Sequence, residues 1–462
     1  MQNRKSIGQR ESIGQRESSG RTGEERKIRR TRYARRGKRA EIRIVKSKIR
    51  KTALLLIVCA SSALLWACSG SAELPEEIQQ QLGLEDAGQQ AADPVTQIPE
   101  NSGDSAGYQQ ESLGQEELDQ CYYYSLLDEE SRQIYRELVQ GIREGREVIV
   151  THGSDPETVN NICTWVFMDY PEFFWCSGTV ETTSYTGVSS YCEVRPEYTC
   201  TSGERETRRQ QIEDAANQCL SGLPADGSTY EKIRYLYTWL IEQTEYAADS
   251  TDNQNIYSVF VNHRSVCAGY SRAFQYLADQ AGIFTIYVTG TVNQGQSHAW
   301  NIVNCDGAYY NVDVTFGDPI FIQSEEMETG TGAGQNRTYY DYLCVSDGEF
   351  YRNHTPDASL SLPACTSDAL EYYRMIGRYF EQVSESEMLA LMQQDIERMD
   401  SWSDFKYSSE ETYRQAIALL PQVMDQAATY LCSYYNLAQT TYQYSQDPET
   451  LRISVYWSYP FR

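Results

Sequence analysis

Histidine is scarce in this chain, with four residues among 462, and its 13 cysteines include no Cys-x-x-Cys pair. Structural zinc sites usually draw their ligands from closely spaced cysteines and histidines. The sequence also has no glycine-rich loop of the kind that cradles phosphates. It therefore predicts neither a metal site nor an organic cofactor.

Basic residues are also few once residues 1–67 are set aside. That segment holds 19 of the 40 Lys and Arg residues and 5 of the 65 Asp and Glu residues. The remainder has 21 basic and 60 acidic residues, a net charge of −39. Such a surface would repel nucleic acid and anionic wall polymers, which argues against both as partners. Basic or neutral peptides are easier to reconcile with it, although the same charge can serve solubility alone.

Arginine and lysine crowd the first fifty residues, in which the hexapeptide Ser-Ile-Gly-Gln-Arg-Glu occurs twice. One interpretation is a nucleic-acid-binding arm. The favoured interpretation is that translation begins later. Because no methionine lies between Met1 and Met168, a later start would use an alternative codon, and Val45 is the candidate.

An apolar run over residues 53–67 follows a short basic region, as in a signal peptide. It ends in Leu65-Trp66-Ala67-Cys68, which resembles a bacterial lipobox, in which Cys68 would be diacylated and become the new N-terminus. An uncleaved anchor and an ordinary signal peptide are the alternatives. All three predict export, and anchoring to the bacterial cell membrane by lipid is favoured. Residues 68–118 have few large apolar groups, so we expect a disordered tether.

Cys267 lies just before a pattern of buried-helix type. Phe274, Leu277 and Ala278 recur at helical spacing, and Gly282 marks a stop. The pattern predicts Cys267 in or just before the first turn of this helix. Backbone N–H groups that are unpaired there favour a thiolate over a thiol.

A histidine and an aspartate occupy two strand-like runs, 298–305 and 309–316, which are joined by Asp306-Gly307. This dipeptide is a strong signal for a two-residue hairpin. Counting back from that turn pairs Cys305 with Ala308 and makes His298 and Asp313 diagonal neighbours on one face. A slip of one residue would send them to opposite faces.

Cysteine, histidine and aspartate together suit acyl transfer. Cys267 would attack a carbonyl, His298 would hold the thiolate and later protonate the leaving amine, and Asp313 would orient the imidazole. Trp300 would shield the histidine–aspartate contact from water. Tyr257 is nominated to donate a hydrogen bond to the oxyanion, beside the backbone N–H of Cys267. Any one of these residues alone is more often structural; their combination favours a site.

These motifs resemble the core of the transglutaminase-like superfamily, which has a papain-like thiol fold. The resemblance covers 230–356 and rests on Val266-Cys267-Ala268-Gly269-Tyr270, His298-Ala299-Trp300-Asn301 and Asn311-Val312-Asp313-Val314-Thr315. It implies that Cys267 is the nucleophile, His298 the base and Asp313 the third member. Phe316 stands where many relatives carry Trp. The superfamily includes peptidases, amide-forming enzymes and non-catalytic members.

The predicted architecture is α+β: a papain-like core, with the cysteine at a helix N-terminus packed on an antiparallel sheet, flanked by two smaller domains. The predicted domains are an α+β domain at 119–220, the catalytic domain at 221–365 and an accessory α/β domain at 366–462. The first, which contains Asp169-Tyr170-Pro171-Glu172, resembles the leading region of clostridial-type transglutaminase-like lipoproteins. Within these domains, we expect helices at 127–142, 159–167, 230–245, 370–380, 385–399 and 410–418, strands at 148–151, 191–200, 283–290, 339–346 and 451–457, and a turn at 354–356.

The sequence thus predicts a cell-surface lipoprotein that performs thiol acyl transfer on peptide or protein amides. With water as the acceptor it would be a peptidase or amidase, and with an amine a cross-linking enzyme. The rival hypothesis is a non-catalytic adhesion or scaffold protein that uses the same fold to bind peptides or other proteins. Ten cysteines remain after Cys59, Cys68 and Cys267, and export would permit disulfides among them, although an anaerobic source would leave them reduced.

Overall fold

A computed structural model describes residues 113–187, 190–293, 295–319 and 337–459. The basic extension, the signal peptide, Cys68 and most of the predicted tether lie outside these residues. None of the helices in the described ranges combines the length and the apolar character needed to cross a membrane. All eleven cysteines in these ranges are free thiols.

The N-terminal part packs helices against a three-stranded antiparallel sheet of order β1-β3-β2. Its elements are α1 (Gln115–Leu118), α2 (Tyr122–Ser125), α3 (Glu129–Glu144), β1 (Ile149–Thr151), α4 (Pro156–Asp169), β2 (Cys176–Tyr185), β3 (Tyr191–Tyr198) and α5 (Ser202–Ser221). The predicted helices at 127–142 and 159–167 are confirmed as α3 and α4. Asp128 caps α3 by accepting from the Ser131 amide, and Gly145, at φ 70°, ends it. The aromatic turn at 173–175 is buried in the core.

The central part contains a five-stranded sheet of order β10-β6-β7-β8-β9, against which α8 packs. Its elements are α6 (Thr229–Gln243), β4 (Glu245–Tyr246), α7 (Ile256–Phe260), β5 (Arg264–Ser265), α8 (Cys267–Gln280), β6 (Thr285–Val292), β7 (Gln296–Cys305), β8 (Ala308–Val312), β9 (Leu343–Val345), α9 (Asp347–Phe350) and β10 (His354–Pro356). A single hydrophobic cluster runs from the N-terminal helices through α6 and α8 to β7 and β8.

The predicted hairpin is confirmed. Cys305 pairs with Ala308, and Asn301 pairs with Val312. Both residues of the turn, Asp306 at φ 53° and Gly307 at φ 87°, adopt the left-handed conformation that a type I′ turn needs. The register that was read from the turn is therefore the register of the sheet.

The second strand of the hairpin is shorter than predicted. It ends at Val312, and Thr315–Gly317 form a 3₁₀ turn instead of continuing to Phe316. The cause is Asp313, whose Oδ1 accepts the backbone N–H groups of Thr315 and Phe316. Because these donors are engaged by a side chain, they are not available to a neighbouring strand.

The strand predicted at 339–346 is confirmed only over Leu343–Val345. The turn predicted at 354–356 was wrong, because these residues form the edge strand β10, which pairs with β6. The approach of β10 depends on Gly290, because a Cβ there would overlap the Thr355 carbonyl oxygen and lie 2.7 Å from the Trp300 ring. The sequence pattern shows neither this long-range pairing nor the need for glycine.

The C-terminal part is a four-stranded sheet of order β11-β12-β14-β13 that packs against two helices. Its elements are α10 (Tyr372–Met375), β11 (Tyr379–Phe380), α11 (Glu385–Glu397), β12 (Trp402–Tyr407), α12 (Glu410–Tyr434), β13 (Tyr442–Asp447) and β14 (Arg452–Trp457). Helix α11 and strand β14 were predicted, whereas β12 and β13 were missed. The helix expected at 370–380 is one short turn, because Gly377, at φ 69°, ends it, and α12 continues through Pro421 well beyond residue 418.

Buried ion pairs join this C-terminal sheet to the central part. Lys406 of β12 is fully buried, and its Nζ contacts the carboxylates of Glu349 and Glu371. Arg452 of β14 donates to Asp341 at 2.9 Å. A buried charge is tolerated only with such partners. Helix α9, which carries Glu349, is therefore anchored to the C-terminal sheet by Lys406.

Candidate active site

The structure places Cys267 at the first residue of α8, as predicted. Its side chain is half-buried, whereas most of the helix behind it is buried. The free N–H groups of a first turn favour negative charge at this position. Gly269 is glycine for a packing reason, since a Cβ there would overlap Ser265 Oγ.

His298 lies on β7 between the thiol and the carboxylate. Its Nε2 is 2.6 Å from Asp313 Oδ2, which leaves Nδ1 as the nitrogen available to the hydrogen bond with the Cys267 thiol. Trp300 stacks on the imidazole at a centroid distance of 6.3 Å, as predicted, and Phe316 meets it edge-on at 5.3 Å. These rings exclude water and restrict rotation of the imidazole.

Asp313 is fully buried and accepts four hydrogen bonds. Oδ1 accepts from the Thr315 and Phe316 amides at 2.9 and 3.2 Å, and Oδ2 accepts from His298 Nε2 and from a second histidine, His354 Nε2, at 3.0 Å. Two oxygens with two lone pairs each can accept four hydrogen bonds, so the carboxylate is saturated. Its orientation is fixed from both sides.

The electrostatics of the site favour an ionised aspartate and a charged His298. Burial raises the pKa of Asp313, but the charge and hydrogen bond of His298, with help from His354, overcome this and hold it well below its usual range. Burial lowers the pKa of His298, and the charge and hydrogen bond of Asp313, with the Cys267 thiol, overcome this and raise it to about 10. The arrangement can therefore hold a thiolate beside an imidazolium.

Sequence reasoning missed His354 altogether. It lies on β10, is buried, and is enclosed by aromatic rings, the nearest being Phe350 at a centroid distance of 3.9 Å. Because its position follows from pairing of β10 with β6, no local pattern marks it. The scarcity of histidine was the only available signal.

The side-chain contacts of Tyr257 lie away from the triad. Its hydroxyl is 3.3 Å from Gln211 Oε1, and its ring packs against Arg208 and Phe174. These three residues belong to α5 and to the aromatic turn rather than to the triad. A role for Tyr257 at the oxyanion stays a prediction without support from these contacts.

His298, Asp313 and His354 lie close enough to be considered as metal ligands. Their separations of 2.6 and 3.0 Å are those of hydrogen bonds, and Asp313 Oδ1 is already engaged by two amides. The side-chain atoms that could bind a metal are thus already engaged in hydrogen bonds. We interpret the three side chains as a hydrogen-bonded unit.

Comparison with known proteins agrees with this geometry. A sequence model of the transglutaminase-like superfamily matches residues 214–314, a span that contains Cys267, His298 and Asp313. The chain therefore carries a transglutaminase-like domain within a mixed helix and sheet fold. His354 lies outside the matched span.

Individual relatives are distant. A Mus musculus protein named kyphoscoliosis peptidase is 25% identical over 163 residues, which cover 32% of this chain and 24% of the mouse protein. This chain thus matches about a quarter of that relative's length.

Two solved structures are similar to part of this chain. One, described as a TGase, is 12% identical with a TM-score of 0.23 over 34% of this chain and 46% of its own. A Cytophaga hutchinsonii protein described as a candidate cysteine protease is 15% identical with a TM-score of 0.22 over 31% of this chain and 64% of its own. Likeness at these scores carries no argument about activity.

Proposed function

We propose that this chain is a cysteine-dependent enzyme that transfers acyl groups from peptide or protein amides. The observation that carries the proposal is the hydrogen-bonded succession of Cys267, His298 and Asp313, in which the thiol stands on a helix N-terminus and the carboxylate is fully buried. Burial of the Asp313 carboxylate costs free energy that its hydrogen bonds and the charge of His298 must offset. A carboxylate held in this way can orient the histidine as a catalytic base.

In the proposed reaction, the Cys267 thiol transfers its proton to His298 and the thiolate attacks the amide carbonyl carbon. The tetrahedral intermediate collapses by breaking the C–N bond, and His298 donates the proton to the departing amine. A thioester on Cys267 remains. Water or an amine then attacks it, His298 takes the proton of the attacking group, and the carboxylic acid or the new amide leaves while the thiolate is restored.

With water as the acceptor the enzyme would be a peptidase or amidase, and with an amine it would be a transglutaminase. Both reactions pass through the same thioester. The net charge of −39 in residues 68–462 supports basic or neutral peptides rather than acidic ones as substrates. Asp313 serves both half-reactions because it stabilises the imidazolium that forms in each.

The labelling of Cys267 by iodoacetamide against pH tests the thiolate–imidazolium pair. Because the pKa of His298 is raised to about 10, the imidazolium beside the thiol should persist to alkaline pH, and labelling at about pH 6 should be faster than in His298→Ala. His298→Ala should label like an ordinary thiol of pKa about 8.5. His263→Asn, an exposed histidine four positions from the cysteine, is the matched control and should behave like the unaltered protein.

Slow labelling that follows an ordinary thiol pKa in both the unaltered protein and His298→Ala would contradict the enzyme. The chain would then be better described as a non-catalytic module that uses this fold to bind peptides.

We also propose that the enzyme acts at the cell surface, tethered to the bacterial membrane by lipid on Cys68. The support is the apolar run, the lipobox-like end and the polar segment at 68–118. Mass spectrometry of the mature N-terminal peptide should find a diacylated cysteine, and Cys68→Ala should remain unprocessed. Peptides from residues 6–40 in the mature protein would contradict a mature N-terminus at Cys68.

A further inference from the structure

We propose that His354 is a positioning residue of the site, which fixes the Asp313 carboxylate and limits the basicity of His298 by sharing its acceptor oxygen. This role rests on the proposed acyl transfer, but its test does not need turnover. The observation behind it is that two buried imidazoles donate to one oxygen, His298 from 2.6 Å and His354 from 3.0 Å.

His354 first orients the Asp313 carboxylate. The Thr315 and Phe316 amides hold Oδ1, but without a donor on its far side Oδ2 would be restrained only by His298, the group that must move its proton. His354 supplies that second donor from a different strand. The carboxylate is then fixed by groups that take no part in the chemistry.

His354 is itself held rigidly by its neighbours. Its ring stacks on Phe350 and is flanked by Phe316 and Tyr342 at centroid distances of 4.9 and 5.2 Å. Its backbone pairs with Val292 of β6, whose Gly290 pairs with His298 on the other side. The two histidines therefore lie on β10 and β7, the two strands that pair with β6.

His354 also affects the pKa of His298 through the charge of Asp313. Two N–H donors on one oxygen divide its negative charge, so each proton is held less strongly than it would be by that oxygen alone. His354 is the neutral member, because burial and the positive charge of His298 lower its pKa, against the pull of Asp313. A general base that is too basic gives up its proton slowly to a leaving amine, so a limit on the basicity of His298 assists the second half of its task.

The Nδ1 side of His354 can accommodate its neutral state. Nδ1 lies 2.7 Å from the Asn353 amide oxygen, and the Asn353 amide nitrogen lies 2.7 Å from the Tyr342 hydroxyl. A half-turn of the amide exchanges these atoms, so Asn353 can donate to Nδ1 while its oxygen accepts from Tyr342. The Nε2 proton can then remain directed at Asp313.

The test is a pH titration of the full-length protein labelled with ¹⁵N-histidine, which is practical because the chain has four histidines. His354→Phe removes the donor and keeps an aromatic ring within the cluster, whereas His354→Gln keeps a terminal N–H donor. We expect the pKa of His298 to rise by about half a unit to one unit in the Phe variant and to stay near that of the unaltered protein in the Gln variant. The pH profile of iodoacetamide labelling should shift with it.

A pKa of His298 that is unchanged or lowered in the Phe variant would overturn the proposal, as would equal behaviour of Phe and Gln. If the Phe variant does not fold, the unaltered protein decides: the spectra must show a neutral His354 with its proton on Nε2, and a proton on Nδ1 alone overturns the role. Failure of the proposed function would be recognised separately, by an ordinary thiol at Cys267 in the unaltered protein.

Discussion

Asp313→Asn is expected to slow iodoacetamide labelling of Cys267 at pH 6 by at least about tenfold, toward the rate of an ordinary thiol of pKa about 8.5. Asparagine matches aspartate in shape, and its Oδ1 can still accept from the Thr315 and Phe316 amides. Its NH₂ group, however, would face the Nε2 protons of His298 and His354. Each imidazole would have to move its proton away from this donor.

The consequence for His298 is a proton on Nδ1, the nitrogen that faces the thiol. The imidazole could then no longer accept the proton of Cys267, and the asparagine would lack the charge that stabilises an imidazolium. Turnover should fall by about 10³–10⁴-fold for the same reason. Asparagine is a safer substitution than alanine, because alanine would leave the four buried donors of Asp313 without an acceptor.

Asp395→Asn is the matched control, because Asp395 is also buried but interacts with Arg378 and Ser403 in the C-terminal part. It should leave the labelling profile unchanged. Labelling of Asp313→Asn at the unaltered rate at pH 6 would remove Asp313 from the site.

Lys406→Met is expected to lower the free energy of unfolding by about 3–5 kcal/mol at neutral pH, because it leaves two carboxylates uncompensated in the interior. Lys406 Nζ lies 3.1 Å from Glu371, contacts Glu349, and donates to the Asp341 carbonyl oxygen at 3.4 Å. Burial lowers the pKa of this ammonium, and the two glutamates overcome this and raise it above its ordinary value. Urea unfolding followed by tryptophan fluorescence measures the difference.

The deficit of Lys406→Met should shrink as the pH falls. Burial raises the pKa of Glu371 even in the presence of Lys406, so its protonated form is favoured by folding. A group with a raised folded pKa contributes stability that is present at low pH and lost as the pH rises through that pKa. Without the ammonium, the pKa of Glu371 rises further, and the penalty grows from acidic to neutral pH.

Lys232→Met provides the control, since Lys232 is a partly exposed lysine of α6. It should change the free energy of unfolding by less than about 0.5 kcal/mol. Equal urea midpoints for the two variants, or a deficit that does not change with pH, would contradict the ion-pair account.

The triad could be predicted because its parts are encoded locally. Helical spacing after Cys267 and the Asp306-Gly307 turn are short-range patterns, and the turn alone fixes which residues of β7 and β8 face each other. The sequence did not show where β8 ends, because the end depends on the side chain of Asp313 capturing two amides. The sequence thus predicted that these residues lie together, with an incomplete account of why they meet.

His354 and the C-terminal sheet could not be predicted for a different reason. Strand β10 is defined by pairing with a strand more than sixty positions earlier, and its three residues have no pattern of their own. Strand β12 carries Lys406 at a buried position, so its sequence resembles that of an exposed segment. Both elements depend on contacts that are distant in sequence, whereas periodicity reports only on near neighbours.

The ion pairs of Lys406 have a consequence for the order in which the site is completed. Glu349, held by Lys406, immediately precedes Phe350, whose ring stacks on His354. A ribosome releases Cys267, His298 and Asp313 well before it reaches Lys406, so the emerging chain holds these three residues before Lys406 can anchor Glu349. The support of the His354 ring thus depends on β12, a strand that is synthesised after the three residues it helps to position.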